Sequence, residues 1–383
     1  MKSDGVFPVG LRNALRNTFA PDALCMLREF VNFVDINCVH CMKKSISQRD
    51  IARMLGINVS TVSRALRGAA GVGSDLQKKI VEIAEAHGYR PNPFAMSLRY
   101  NTTHTIGIVV PDMSFTHYAH IVKWIEAEAR KNGYMCIITD SGDKYQNEED
   151  CIEHLLNMHV EGIVLCLSQE SPSGDRVTDS YLKRLKERHI PFVLFDRIAD
   201  IECSTVGAND VESARQATLH LIDSGAKKIA FIGGPNQMKQ TADRKHGYLE
   251  ALRERGMTIQ KDMVKCNQIS FNSGLSDTME LLNLPEPPDA ILAAHGMLSI
   301  SAFQTILSRG LRIPHDIALI GFMSDWVSEM TFPRMTFVKQ NLKKMGCKTF
   351  ELLLKQINGD DSVEHVTVNA RLIIKESTRK IEA

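Results

Sequence analysis

The strongest constraint on the fold lies after Thr105, where short apolar segments alternate with amphipathic segments of helical length. A first round predicts strands and helices in alternation, at 106–110, 117–132, 135–139, 145–158, 162–167, 179–188 and 192–195. A second round predicts more of both, near 211–224, 229–233, 241–255, 273–282, 290–294, 298–309 and 317–322. This alternation is typical of parallel sheets with helices on both faces. The sequence therefore predicts two similar α/β lobes.

Lobes of this kind bind a ligand in the crevice between them, at the carboxyl ends of their strands. Catalytic patterns do not accompany the lobes. The turn at Gly233 and Gly234 is not a dinucleotide fingerprint, and the sequence has no P-loop, nucleophile elbow or His/Glu metal spacing. The C-x-x-C spacing of Cys38 and Cys41 has no second ligand pair at a zinc-like distance. We therefore expect a binding protein rather than an enzyme, with no metal and no cofactor.

A basic segment precedes the lobes. Residues 42–105 hold ten Lys and Arg against four Asp and Glu, a net charge of +6, whereas the whole chain of 383 residues carries only +1. That length suits two or three domains. A compact basic module beside a near-neutral body indicates a protein that neutralises the phosphates of a nucleic acid with one of its domains.

Cap and turn residues divide the basic segment into helices. Ser47 and Asp50 resemble a capping box for a first helix, which Gly56 ends. Ser74 and Gln77 predict a capping box for a third helix. The second helix, after a short turn, turns an apolar face inward and a polar face outward, the outer residues being Ser60, Thr61, Ser63, Arg64 and Arg67. A short turn with glycine and a Ser/Thr/Arg outer face favour a helix-turn-helix over an ordinary helical hairpin.

The compartment follows from what the sequence lacks. The apolar runs are far shorter than the roughly 20 residues that a membrane span needs. The chain does not open with a secretory pattern, and its nine cysteines are scattered, as expected of reduced thiols in the cytoplasm. Residues 1–41 join no later pattern, and we expect them to be an extension that is either not native or disordered.

Three motifs together resemble the lactose-repressor (LacI/GalR) family of bacterial transcription regulators: TVSRALRG at 61–68, HGYRPNPFAMSLR at 87–99 and KESTRK at 375–380. The resemblance runs from about Met42 to Lys380. It implies a helix-turn-helix domain at 42–90, a hinge helix and linker at 91–105, and a body like the periplasmic binding proteins at 106–380 that also dimerises. Lobe 1 would cover about 106–207 and 334–366, and lobe 2 about 208–333 and 367–380.

The resemblance assigns the DNA-reading residues of the helix-turn-helix. In the family the first residues of the second helix read base edges in the major groove, and here these are Val59 and Ser60, with Arg64 further along. Arg64 is the strongest candidate, because an arginine that binds guanine through two hydrogen bonds discriminates by roughly 1–3 kcal/mol. Val59 offers apolar contact, for example with a thymine methyl group. The candidates for phosphate contacts are Ser47, Thr61 and Ser63.

The resemblance also assigns a hinge helix. Asn92 and Pro93 are a good cap and first-turn pair for a short helix at 94–98. In the family two such helices pair across a dimer and insert a leucine into the minor groove, which kinks the DNA. Leu98 holds that position, with Arg99 beside it, and the alternative is a linker leucine that packs on its own domain. The DNA-binding candidates of this segment are Tyr89, Asn92, Ala95, Leu98 and Arg99.

The effector pocket departs from the family pattern. Its candidate residues follow the strands: Phe115, His117, Arg197, Arg244, Ile269, His295 and Met323. Arg197 and Arg244 match the family and are the expected main contacts. His295 and Gly296 stand where sugar-binding relatives have Asn-Asp, Met323 and Ser324 where they have Asp-Asp or a similar pair, and Ile269 where an aromatic ring is frequent. The rim residues Phe115, Thr116 and His117 replace Asn-Pro-Phe.

These replacements bear on the effector. Carboxylates accept hydrogen bonds from neutral sugar hydroxyls, whereas arginine only donates, so the pocket is expected to be rich in donors. The pattern favours an anionic effector, such as a sugar acid or a phosphosugar, over a neutral sugar. Two alternatives stay open: a pocket that no longer senses small molecules, and regulation by a protein partner.

The predicted function is a homodimeric repressor of carbohydrate-utilisation genes that binds a pseudo-palindromic operator. The effector would favour one arrangement of the lobes and thereby change operator affinity by linkage. No leucine heptad follows Lys380, so a tetramer held by a C-terminal coiled coil is not expected. The alternative is a solute-binding or carbohydrate-metabolising α/β protein without a role at DNA, against which the basic segment argues.

Overall fold

A computed structural model describes residues 46–89, 102–168, 181–198 and 201–379. They belong to two compact units, which meet in sequence at Tyr100 and Asn101. Several predictions lie outside the described residues: the extension 1–41 with its cysteine pair, and the hinge candidates Asn92, Ala95, Leu98 and Arg99.

The first unit is a bundle of three helices, α1 Gln48–Leu55, α2 Val59–Leu66 and α3 Ser74–Ala86. Its core consists of small and branched apolar side chains, namely Ile51, Ala52, Val62, Ala65, Ile80 and Ala84. The capping box predicted for α1 is confirmed, because the Asp50 amide donates to Ser47 Oγ over 3.3 Å and the Ser47 amide donates to Asp50 Oδ2 over 3.0 Å. Gly56 ends α1 with a φ of 65°, where a side chain would be strained.

The capping box predicted for α3 is wrong. Gly73 is the N-cap of α3, and no side chain caps this end of the helix. Gln77 instead donates from Nε2 to the carbonyl of Ala65 over 3.2 Å. The last carbonyls of a helix lack partners within the helix, and Gln77 satisfies one of those at the end of α2. Gln77 therefore joins α3 to α2.

The second unit holds two six-stranded sheets. Sheet 1 has the order β11-β5-β4-β3-β1-β2, and all of its strands are parallel. Its strands are β1 Thr105–Val110, β2 Met135–Asp140, β3 Gly162–Leu165, β4 Phe192–Phe195, β5 Ser204–Ala208 and β11 His365–Val368. Its helices are α4 Thr116–Lys131, α5 Tyr145–Asn157, α6 Tyr181–Glu187 and α12 Leu342–Ile357. Alternate residues of β1 face opposite cores, Ile106 and Ile108 on one side and Val109 on the other.

Sheet 2 has the order β12-β10-β9-β8-β6-β7, and only β12 runs antiparallel to its neighbour. Its strands are β6 Ile229–Gly233, β7 Val264–Cys266, β8 Ala290–Ala293, β9 Ala318–Phe322, β10 Thr336–Lys339 and β12 Arg371–Ile373. Its helices are α7 Asp210–Asp223, α8 Lys239–Glu254, α9 Phe271–Leu282, α10 Gly296–Ser308 and the short α11 Asp325–Glu329. Apolar cores cover both faces, which makes each sheet the centre of one lobe.

The chain passes between the lobes at three places, and each lies a few residues after its predicted position. The first lies between β5 and α7, near 209, and the third between β11 and β12, near 370. The second lies after β10, near 340, and not near 334, because Thr336–Lys339 pairs in parallel with β9 of sheet 2. Lobe 2 therefore extends to the end of β10.

Candidate nucleic-acid interface and effector site

The exposed residues of α2 form the candidate DNA interface of the first unit. Val59, Ser60 and Arg64 are exposed, Val59 to 39% in spite of its apolar side chain. Thr61 is half-buried. Arg64 Nε donates to the Ser60 carbonyl one turn earlier over 3.4 Å, which orients the guanidinium along the helix. A short helix thus presents an apolar group, a hydroxyl group and a guanidinium to solvent.

Three other predicted contacts of this unit have structural roles. Ser63 is only 6% exposed, so its predicted placement on the outer face is wrong. Ser47 Oγ donates to Asp50 Oδ2 over 2.6 Å, so its hydroxyl proton is already used by the cap of α1. Tyr89 packs against the core of the unit. The sequence pattern marked these residues as polar or aromatic but could not show which way they face.

Between the lobes, the carboxylate of Asp196 lies between two donors. His117 Nε2 lies 2.9 Å from Asp196 Oδ1, and Gln240 Nε2 donates to Asp196 Oδ2 over 2.8 Å. Asp196 follows β4 in lobe 1, whereas Gln240 lies in the first turn of α8 in lobe 2. Burial opposes ionisation of Asp196, but His117, Gln240 and Arg197 outweigh it and lower the pKa of this carboxyl to about 2. Asp196 is therefore a carboxylate at neutral pH.

Arg244 lies in a buried site of lobe 2, the arginine socket, which is formed by Asp210, Ala294, His295 and Phe322. Its Nε donates to Asp210 Oδ1 over 2.8 Å, its Nη1 donates to the Ala294 carbonyl, and the guanidinium lies 4.2 Å above the ring centre of Phe322. Arg244 is only 4% exposed. Burial raises the pKa of Asp210, and the Arg244 guanidinium opposes that shift. The arginine is thus held on several sides.

Gly247 explains how Arg244 reaches Asp210. A Cβ atom on Gly247 would come within 2.0 Å of the Val211 carbonyl oxygen, so only glycine lets α8 approach α7 this closely. Arg244 precedes Gly247 by nearly one turn of α8, and Asp210 begins α7 beside Val211. The close approach of the two helices therefore brings the ion pair together.

His295 completes the socket. Its Nε2 lies 3.1 Å from Thr241 Oγ1, and its Nδ1 lies 3.5 Å from Arg244 Nη1. Because arginine only donates, Nδ1 has to accept, and the proton of the ring is on Nε2. Burial, together with the charge of Arg244, lowers the pKa of His295 well below its ordinary value. His295 is therefore a neutral part of the socket at neutral pH.

Arg197 forms a second ion pair in lobe 1. Its Nη1 donates to Asp143 Oδ1 and, over 3.3 Å, to the Leu167 carbonyl. The guanidinium lies 5.6 Å from the ring centre of Tyr118. Its Nε is buried without a hydrogen-bond partner in the described chain. Each of the two predicted arginines therefore faces a carboxylate.

Among the described residues, no group of three or more His, Cys, Asp and Glu is arranged to hold a metal ion. Within the same residues, no helix is both long enough and apolar enough to cross a bilayer.

Comparisons with known proteins agree with both units. The family description "Bacterial regulatory proteins, lacI family" matches residues 48–92, and "Periplasmic binding protein-like domain" matches residues 218–378. Catabolite control protein A of Priestia megaterium is 30% identical over 335 residues, which cover 86% of this chain and 98% of the relative. The chain belongs to the lacI family of bacterial regulatory proteins. The resemblance drawn from its motifs is confirmed.

Other members of the lacI family are similar over most of their length. The HTH-type transcriptional repressor CytR of Escherichia coli is 28% identical over 342 residues, with 88% of this chain and 97% of CytR covered. The transcriptional regulator CelR in complex with cellobiose has a TM-score of 0.65 at 27% identity, with 87% and 99% covered. The lac repressor dimer bound to operator has a TM-score of 0.79 at 21% identity, with 88% and 100% covered, and supports the fold. The predicted fold is confirmed.

The structure divides the predicted effector residues into those that join hydrogen-bond networks and those that do not. His117, Arg197, Arg244 and His295 belong to the three groups of contacts described above, around Asp196, Asp143 and Asp210. Phe115 is exposed at the start of α4. Ile269 packs on Gly234, and the end of the Met323 side chain covers Gly321, so both belong partly to the packing of lobe 2.

Three acceptors and one donor were missed by the sequence analysis: Asp143, Asp196, Asp210 and Gln240. A signal existed for Gln240, which precedes Arg244 by four residues and so shares its helix face. Asp143 and Asp210 face the two arginines, and Asp196 faces His117 and Gln240, so the cleft holds acceptors beside the expected donors.

Proposed function

We propose that this lacI-family chain is a homodimeric repressor that binds a pseudo-palindromic operator in the cytoplasm and controls carbohydrate-utilisation genes. The observation that carries the proposal is the outer face of α2, with Val59, Ser60 and Arg64 exposed on a helix-turn-helix unit. Arg64 would bind a guanine edge, and Val59 would contact a thymine methyl group. The lac repressor dimer on its operator supports a dimer as the working unit through its fold.

The test is a selection of bound duplexes from a random pool, followed by gel retardation at several salt concentrations. Wild type should select a site of two related halves and lose affinity steeply as salt rises. Arg64→Ala should bind the selected site about 1–3 kcal/mol more weakly and accept other bases at one position of each half-site, while its binding to unrelated duplexes keeps its salt sensitivity. A protein that retards no duplex, with or without ligand, would instead support the alternative of a solute-binding or carbohydrate-metabolising protein.

For the effector we propose a small polyhydroxylated molecule bound between the lobes. Three carboxylates, Asp143, Asp196 and Asp210, are set against Arg197 and Arg244, and His295 is neutral. An anionic ligand would meet arginines that are already paired, whereas hydroxyl groups can both donate to carboxylates and accept from donors. The charge balance therefore favours a neutral polyol or sugar over the anion that the sequence predicted.

Calorimetry with the full chain tests this choice. Neutral mono- and disaccharides are compared with matched sugar acids and sugar phosphates, one carbon skeleton at a time. Tighter binding of the acid or phosphate in each pair would return the choice to an anionic effector. Binding of none of them, together with operator release by a cell extract from which small molecules were removed, would point to a protein partner.

A further inference from the structure

The hydrogen bond between Asp196 and Gln240 joins the two lobes through side chains, in addition to the three crossing segments of the main chain. Asp196 belongs to lobe 1 and Gln240 to lobe 2, and their side-chain atoms lie 2.8 Å apart. A hydrogen bond to a charged group changes an equilibrium more than a neutral one does. This contact is therefore well placed to influence how far the lobes separate.

Asp196 is held in a fixed position on the lobe 1 side. Its φ is 59°, in the left-handed region that residues other than glycine seldom adopt, and its amide donates to the Val206 carbonyl over 2.9 Å. His117 binds the second carboxylate oxygen, and the residue is only 6% exposed. With so little freedom left, the carboxylate presents one oxygen to lobe 2 without further loss of side-chain entropy.

On the lobe 2 side, the backbone of α8 positions Gln240 beside the arginine socket. Gln240 lies in the first turn of α8, next to Thr241, whose hydroxyl contacts His295 of the arginine socket. Gln240 and Arg244 are one turn apart on the same helix, and Arg244 is fixed by Asp210. A movement of the socket would therefore move Gln240 relative to Asp196.

We propose that Asp196 and Gln240 form an interlobe latch, positioned by His117, that sets the balance between bridged and open arrangements of the lobes. The inference rests on the proposed function, since it deepens the regulation of the same cleft. By linkage, a change in this balance changes operator affinity by at most the same factor. A ligand in the cleft that breaks or strengthens this hydrogen bond would thereby change operator affinity.

Isosteric substitutions test the latch. Gln240→Glu places two carboxylates against each other and should shift the ratio of open to bridged lobes by roughly 10- to 100-fold toward open. In the double variant Asp196→Asn with Gln240→Glu, the asparagine amide donates to the new glutamate while its oxygen still accepts from His117. That exchange should restore the bridged state. Asp196→Asn alone should have a small effect, because the Gln240 amide can turn its oxygen toward lobe 1.

The readout is small-angle X-ray scattering of the full chain, which follows lobe separation without DNA or effector, with thermal melting to confirm that each variant folds. The matched control is Gln216→Glu, because Gln216 Nε2 donates to Glu212 Oε1 over 2.8 Å within α7 of lobe 2 alone. Its scattering should equal that of wild type. The latch is refuted if the Gln240→Glu curve superimposes on wild type, or if the double variant stays open. Failure to bind DNA would refute the proposed function and leave the scattering result unaffected.

Discussion

The outer face of α2 and the cleft between the lobes both contain arginine side chains, but the surroundings of these arginines differ. On α2, Arg64 is exposed, and its Nε donates to the Ser60 carbonyl of its own helix. In the cleft, Arg244 is buried against Asp210, and Arg197 is half-buried against Asp143. The first surface leaves its cation open to a polyanion, whereas the second pairs its cations within the chain.

The difference decides whether a cation contributes mainly to the stability of the fold or mainly to ligand binding. An exposed cation stays hydrated in the free protein and adds little to folding, but on binding it neutralises a phosphate and releases a counterion from the DNA, which adds to affinity. A buried guanidinium has lost its water and depends on its partner in the fold. Substitutions in the cleft should therefore act first on stability, and substitutions on α2 should act on binding with stability preserved.

The largest effect should follow from breaking the buried pair of the cleft. Asp210→Ala leaves the Arg244 guanidinium uncompensated at 4% exposure, which should lower the free energy of unfolding by about 3–5 kcal/mol. Urea unfolding monitored by circular dichroism measures the change. The control on the same helix as Arg244 is Asp243→Ala, which removes the surface pair with Lys239 and should cost at most about 0.5 kcal/mol. Equal losses in the two variants would contradict the contrast between buried and exposed pairs.

The next effect should appear in binding alone. Arg64→Ala should weaken the selected operator by about 1–3 kcal/mol and relax specificity at one base pair per half-site. Its free energy of unfolding should stay within about 0.5 kcal/mol of wild type, because the side chain is exposed. Fluorescence anisotropy with the operator and with single-base variants of it measures both parts. A uniform loss over all sequences would mean that Arg64 contacts phosphate and not a base.

The two regions also differ in how much the sequence could predict. The helix-turn-helix followed from periodicity and from local caps, such as Ser47 with Asp50, because such signals act within a few residues. Orientation was harder, since Ser63 is as polar as its exposed neighbours and yet is buried. The α/β lobes followed from alternation, but short strands such as β7 and β12, three residues each, gave no clear apolar run.

The cleft could not be predicted in the same way. Arg244 and Asp210 are 34 residues apart in sequence, and Asp196 and Gln240 are 44 apart. Their contacts depend on the packing of α8 against α7 through Gly247 and on the distance between the lobes, neither of which a local pattern encodes. A local sequence pattern therefore identifies the donors of the pocket but omits the acceptors, because these come from distant segments of the chain.

A half-paired carboxylate in lobe 2 sharpens the contrast further. Asp277 is 2% exposed and accepts from Asn267 on Oδ1, while Oδ2 is buried without a hydrogen-bond partner in the described chain. Burial raises the pKa of Asp277, so the folded state binds its proton more tightly than the unfolded state, and stability falls as pH rises above about 4. Asp277→Asn should remove this fall and raise stability at pH 7 by about 1–2 kcal/mol.

Urea unfolding at several pH values between 4 and 7 measures how the free energy of unfolding of Asp277→Asn depends on pH. The control is Asp289→Asn, because both oxygens of Asp289 accept from the amide of Lys227 and one also from that of Lys228. An asparagine there loses an acceptor, so this same substitution should destabilise the lobe. A stabilised Asp289→Asn, or an unchanged pH slope in Asp277→Asn, would contradict the account.

The smallest effect separates folding from binding within the first unit. Ser47 was expected to contact a phosphate, but its hydroxyl caps α1 and donates to Asp50. Ser47→Ala should therefore destabilise α1 by about 1 kcal/mol, seen as faster hydrogen exchange of its amides in the full chain. Affinity for operator and for unrelated duplexes, measured at one salt concentration, should stay within about 0.5 kcal/mol of wild type, since no phosphate contact is lost. An equal loss of more than about 1 kcal/mol on every duplex would instead assign the Ser47 hydroxyl to the DNA backbone, because a neutral hydrogen bond to a phosphate is independent of sequence.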